Sequence, residues 1–206
     1  MKPSRRGLRF IAIGGVAAWG LTACFVLGLA SAHRGALPDA GPLPAFSLAD
    51  ASGRPVTLND LAGSVWIADF IFTRCAGQCP LMSGRMAALQ RAFAGTPDLR
   101  LVSFTVDPAY DTPTVLAAYG DRYGAQAPRW RFVTGEPQAV LALIREGFRL
   151  AVAEEGMPEE PITHSIRLAL VDRRGHVRGS YEATDARAMA QLQDDARRLL
   201  RDGGER

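Results

Sequence analysis

The nine residues "SVWIADFIF", positions 64–72, constrain this chain more than any other stretch. The run is almost continuously apolar and rich in aromatic and branched side chains. Its length suits a strand better than a helix, and its composition suits a strand buried at the centre of a sheet.

The segments around it alternate between two periods. "AFSLAD" and "PVTL" flank the turn "ASGR" and read as a hairpin. After the apolar run a helix is expected from Cys79 to Ala94, because Met82, Met86, Leu89 and Phe93 share one helical face. "LRLVSFTV", residues 99–106, is a second buried strand, followed by a helix near 112–123 with Val115, Leu116 and Tyr119 inward. "WRFVTG" is a short strand, and residues 136–147 form a helix with Val140, Leu141 and Ile144 inward. "SIRLALVD" and "HVRGSYEA", residues 165–172 and 176–183, are joined by "RRG" as an antiparallel hairpin. A last helix near 185–201 carries Met189, Leu192, Ala196 and Leu199. Parallel βαβ units followed by a hairpin and a helix predict an α/β sandwich of the thioredoxin-like type, a central mixed sheet flanked by helices.

The N-terminus differs from all of this. Residues 10–32 carry no charge and are long enough to cross a bilayer as a helix, behind the cations Lys2, Arg5, Arg6 and Arg9. Three fates are compatible with it: a retained single-pass anchor, cleavage after "ASA" at 30–32, or lipidation of Cys24 in "LTAC". Each puts the remaining chain outside the cytoplasm, facing the periplasm from the inner membrane in a bacterial source, with the N-terminus cytoplasmic where the anchor is kept. Positions 1–33 are thus the anchor or signal segment, 34–44 a Pro- and Gly-containing linker, and 45–206 the domain. The formal net charge is +3, and those four leading cations account for it, so nothing basic enough to hold nucleic acid is left.

The chain has three cysteines, and two of them, Cys75 and Cys79 in "FTRCAGQCP", close the apolar strand. A domain of this size needs no disulfide staple. Cys79 is expected in the first turn of the following helix, where free N–H groups and the helix dipole favour a thiolate and lower the thiol pKa. Pro80 fits that turn. C-x-x-x-C is one residue more open than the C-x-x-C of dithiol oxidoreductases. Two sulfurs so spaced can flank a metal ion, exchange as a dithiol, or form a structural disulfide in an oxidising compartment.

Of the three histidines, His33 falls in the linker and His176 follows the turn "DRRG", where it is expected to be exposed. His164, in "PITHSIRLALVD", precedes a strand that should run antiparallel beside the cysteine-bearing one, so folding should carry it to the two thiols. Two thiolates and an imidazole form a soft, low-coordinate set suited to Cu(I), with the nitrogen also admitting Cu(II). Met82 reads as core. Met157 and Glu154, Glu155, Glu159 and Glu160 belong to an acidic surface loop. Asp107 lies at the sheet edge that carries the cysteine loop, where it can orient His164 or a basic partner residue. Asp111 is expected to cap the next helix, with Thr112 and Pro113 behind it.

These residues together resemble the Sco/SenC family of copper chaperones for cytochrome c oxidase. "FTRCAGQCP" is similar to the family's F-T-x-C-x-x-x-C-P loop, "VDPAYDTP" to its V-D-P-x-x-D-T-P segment, and "HSIRLALVDRRG" to its histidine-bearing strand. The resemblance spans roughly residues 40–200. It implies that Cys75, Cys79 and His164 are copper ligands. It also implies a handover partner, the oxidase subunit with the binuclear copper site, and encounters with other copper chaperones or thiol reductants. A thiol–disulfide reductase that prepares the target's cysteines, or a copper or redox sensor, would use the same residues. The chain departs from the family pattern at Ala76 and Gly77, where many members have Pro and an acid or its neighbour, and at Thr163, where many have an acid.

Overall fold

The computed structural model describes residues 36–150, 152–153, 163–164 and 166–203, with the side chains of 152–153 and 163–164 excluded. The expected membrane segment at 10–32 therefore lies outside the described residues, as do Cys24, His33, Met157 and the four glutamates of the acidic loop. Among the described residues no helix is long and apolar enough to cross a membrane. The elements below all belong to the compact unit that starts at Pro38.

The apolar run forms β3, Val65–Ile71, and every residue of it is buried. It pairs in parallel with β4, Leu99–Thr105, which pairs in parallel with β5, Trp130–Thr134. The hairpin of β1, Ser47–Asp50, and β2, Pro55–Thr57, adds to β5 through antiparallel β1. On the other side β8, Arg167–Val171, runs antiparallel to β3, and β9, Val177–Glu182, antiparallel to β8. The seven-stranded order is β2-β1-β5-β4-β3-β8-β9, the mixed sheet of a thioredoxin-like fold. A separate antiparallel pair joins β6, Val152–Ala153, to β7, Thr163–His164.

Registered neighbours share a face, so the sheet's two sides can be read directly. Phe70 and Phe104 sit opposite one another on β3 and β4, and with Trp66 they receive Phe148. On the other side Asp69, Ser103 and Phe132 form one row across three strands. Helices α2, Cys79–Ala92, and α3, Pro113–Arg122, cover that row: Ser83 and Tyr119 join them through a buried hydrogen bond of 2.9 Å, and Tyr119 meets Phe132 edge-on. Burying each large apolar side chain of this kind contributes roughly 1.5–3 kcal/mol.

Short helix α1, Leu58–Leu61, is closed by a reciprocal cap between Thr57 and Asp60. The helix expected over 136–147 divides into α4, Pro137–Ala142, and a π-helical turn, Leu143–Gly147, closed by Phe148 N–H donating to Leu143 O at 3.1 Å. Gly147 lies so close to Leu43 and Pro44 that a Cβ would meet them at 3.0 and 2.9 Å. The widened turn thus lets Phe148 enter the aromatic cluster while Gly147 slides under that neighbour. Helix α5, Ala186–Asp202, is capped by Asp185 and completes the fold.

Part of the expected linker is docked on the domain. Ala40 N–H donates to Val177 O at 2.9 Å, Val177 N–H to Gly41 O at 3.1 Å, and Leu43 N–H to Gly175 O at 2.9 Å. His176, expected to be exposed, is half-buried instead, with Nδ1 3.0 Å from the Asp39 carboxylate. The reason is that this docked segment covers the β8–β9 turn. Asp172 shapes that turn, accepting from Arg174 and His176 N–H at 2.9 and 3.0 Å.

Asp69 interrupts the apolar run at its most buried point. Neither carboxyl oxygen has a hydrogen bond of good geometry among the described residues. Ser103, opposite on β4, draws its pKa down a little, but its hydroxyl already accepts from Trp130 Nε1 at 2.9 Å. Burial dominates and pushes Asp69 up to about 7. The native state therefore holds a proton that the unfolded chain has released, and stability falls as pH rises from the unfolded pKa to the native one. Replacing Asp69 by Asn should remove that slope. In urea unfolding followed across pH, the variant's advantage over wild type should grow between about pH 4 and pH 7 by up to roughly 4 kcal/mol, then stay level.

Candidate metal centre

The site is the junction between β3 and α2. The chain leaves β3 at Phe72, turns so that Cys75 N–H donates to Phe72 O at 3.2 Å, and starts α2 at Cys79. Gln78, the residue before the helix, supplies no side-chain cap, and Pro80 follows in the first turn. Phe72 N–H points at Cys79 Sγ, 3.5 Å away. Both cysteines are free thiols, and Cys79 hydrogen-bonds with Cys75. The structural disulfide is thus not the state described. Cys79 is fully buried and Cys75 nearly so, while Ala76, Gly77 and Gln78 between them are exposed.

The expected lowering of the Cys79 pKa is overturned. Burial pushes this thiol well above its ordinary value, and the adjacent Cys75 and Asp69 push the same way. The Phe72 N–H works in the opposite direction but is too weak to win. A helix terminus favours a thiolate only where desolvation is modest, and here desolvation is complete.

Two carboxylates fasten the thiol loop to the segment after β4. Asp111 is fully buried and accepts from the Thr73 N–H at 3.1 Å, from the Thr73 hydroxyl and from the Thr105 hydroxyl. Thr105 Oγ1 also receives Asp107 N–H at 3.0 Å. The expected N-cap role of Asp111 is therefore wrong: Thr112 caps α3, its hydroxyl accepting from Val115 N–H. The sequence places two candidate caps side by side, and the inward-facing one is claimed by the loop. Burial raises the Asp111 pKa and its three hydroxyl and amide donors oppose that rise. Asp107 takes the second fastening. Its Oδ2 receives Arg74 Nε at 3.1 Å and the neighbouring guanidinium nitrogen as well. Arg74 in turn lies over the Tyr110 ring at 4.4 Å.

Thr73 and Arg74 were not picked out from the sequence, although they stand between the strand and Cys75. The signal was available in their pairing with the two aspartates of "DPAYD", but only a fold puts positions so far apart together. Met82 is core, as expected. His164 sits in β7 with its backbone opposite Val152, and its ring lies outside the described residues. Among the described residues no cluster of three potential ligands forms, so their contribution is the two thiols.

Removing the Asp111 carboxylate strands three donors next to the thiol loop. Asp111→Ala should lower unfolding stability by roughly 2–4 kcal/mol and abolish exchange protection of the Thr73 amide, measured by denaturant titration and hydrogen exchange.

Residues 38–201 match the SCO1/SenC family model. The SCO1 protein homolog of Bacillus subtilis (strain 168) is 33% identical over 141 residues, covering 68% of this chain and 73% of that protein. The solved structure of BsSco, described as a member of the Sco family of cytochrome c oxidase assembly proteins with a disulfide switch, is 28% identical. It superposes with a TM-score of 0.71 over 81% of this chain and 98% of its own. Copper-bound ScoI of Bradyrhizobium japonicum, at 21% identity and a TM-score of 0.63 over 75% of this chain and 99% of its own, shares the fold. With the family match spanning nearly the whole described domain, this chain belongs to the SCO1/SenC family.

Proposed function

We propose that the chain is a membrane-tethered, extracytoplasmic copper chaperone. It takes copper on Cys75, Cys79 and His164 and passes it to the binuclear copper site of a cytochrome c oxidase subunit. The observation that carries this reading is the free Cys75–Cys79 pair, held at the β3–α2 junction by Thr73 and Arg74. Soft sulfur donors select Cu(I), and an added imidazole extends the set to Cu(II). The topology favours His164 as that imidazole: β8 begins three positions later at Arg167 and runs antiparallel to β3, so the chain enters β8 at the sheet edge where β3 gives way to the thiols. The copper-bound ScoI and the oxidase-assembly role of BsSco support the cargo and the recipient.

Handover by ligand exchange balances without redox chemistry. Copper leaves two thiolates here for two on the acceptor, and the protons released by the acceptor's thiols return to Cys75 and Cys79. The hydrogen bond between Cys79 and Cys75 also supports a second reading, dithiol exchange with the target's cysteines.

The full chain, purified reduced, should take up one Cu(I), and Cys75→Ser or Cys79→Ser should each weaken that uptake more than about a hundredfold by chelator competition. His164→Ala should lose Cu(II) affinity while its thiols still exchange; a pure reductase would be indifferent to this change. Failure of wild type to bind Cu(I) would sink the chaperone reading. Because burial keeps Cys79 protonated through neutral pH, copper must displace that proton. Apparent Cu(I) affinity should therefore rise with pH, about tenfold per pH unit for this proton alone.

A further inference from the structure

Leu81 and Tyr110 are the large apolar side chains left exposed among the described residues, at 40% and 48%. Both border the thiol loop. Leu81 stands two positions after Cys79 in the first turn of α2, and Tyr110 is stacked on the guanidinium beside Cys75. Ala76, Pro80 and Ala109 around them are also exposed and uncharged. The charge nearest the thiols in sequence, Arg74, is matched by Asp107, although its side chain remains 47% exposed.

We infer that Leu81, Tyr110 and Arg74 form the docking face for the protein that exchanges ligands with Cys75 and Cys79, a partner presenting its own cysteine pair from an apolar, uncharged rim. The inference rests on the chaperone reading for its partner. Buried sulfurs can meet an acceptor's sulfurs around a shared ion, at roughly 2.3 Å each, only if the acceptor's surface lies against the residues that rim the loop. Those residues have the composition of an interface centre: an aromatic, an arginine and an aliphatic, with no uncompensated charge. Arg74 is already fixed by Asp107 and Tyr110, so little side-chain freedom is lost when a partner covers it.

The test pairs the reduced full chain with the reduced, metal-free soluble domain of an oxidase subunit that carries the binuclear copper site. Association is followed by calorimetry or chemical-shift titration, and Cu(I) uptake is measured on the same samples. Leu81→Ser should weaken association roughly tenfold or more, with Cu(I) uptake unchanged, and Tyr110→Ala, which also loosens Arg74, should weaken association as well. Leu81→Glu alone should act in the same direction. The inference is overturned if these variants associate like wild type, or if wild type does not associate. It also fails if the variants abolish self-association or binding to phosphatidylglycerol vesicles and leave the acceptor complex intact. Association lost in the variants while wild type fails to bind Cu(I) would uphold the face and reject the chaperone reading.

Discussion

The grip of Asp111 on Thr73 and of Asp107 on Arg74 is the constraint on which the site depends. A loop that carries two buried thiols, three exposed residues between them and no helix cap has little local reason to keep one shape. Its shape is imposed from the segment that follows β4, where a carboxylate with several donors fixes the backbone just before Cys75. Charge-assisted hydrogen bonds in a low-dielectric setting are among the stronger polar contacts available, and both carboxylates are buried enough to benefit. The loop is thereby rigid at its base and open at its crest.

Beneath that loop the same layer holds two groups that resist ionisation for the same reason. Asp69 on β3 and Cys79 at the start of α2 are both buried, and burial raises both pKa values. Each discourages a second negative charge nearby. Both groups therefore favour their neutral forms below neutral pH. In the proposed copper uptake, a cation at Cys79 would supply the positive charge that lets the sulfur release its proton.

The sequence revealed the sheet with little loss because its information is local. The continuous apolar run of β3, the alternation in the hairpins and the capped helices each announce themselves within a few residues. The failures at the site and at His176 are matters of long-range geometry. The role of Asp111 depends on Thr73, thirty-eight positions earlier, and nothing local separates it from a helix cap. The pairing of His176 with Asp39 depends on a docked segment 137 positions away. The rise in the Cys79 pKa depends on how completely α2 settles onto β3, which spacing cannot express. The cysteines stood out in the sequence as candidate ligands. Asp107 was expected to orient His164 or a basic partner residue but pairs with Arg74, which, like Thr73, read only as ordinary loop.

The docked segment at residues 40–43 lies against the β8–β9 turn, beside the start of β3, whereas the thiols lie beyond its end. Seven residues of strand separate these two poles, roughly 20 Å. The polypeptide thus joins the domain at its foot, and the sulfurs stand at its head. A load applied at the foot therefore acts on the end of β3 remote from the sulfurs.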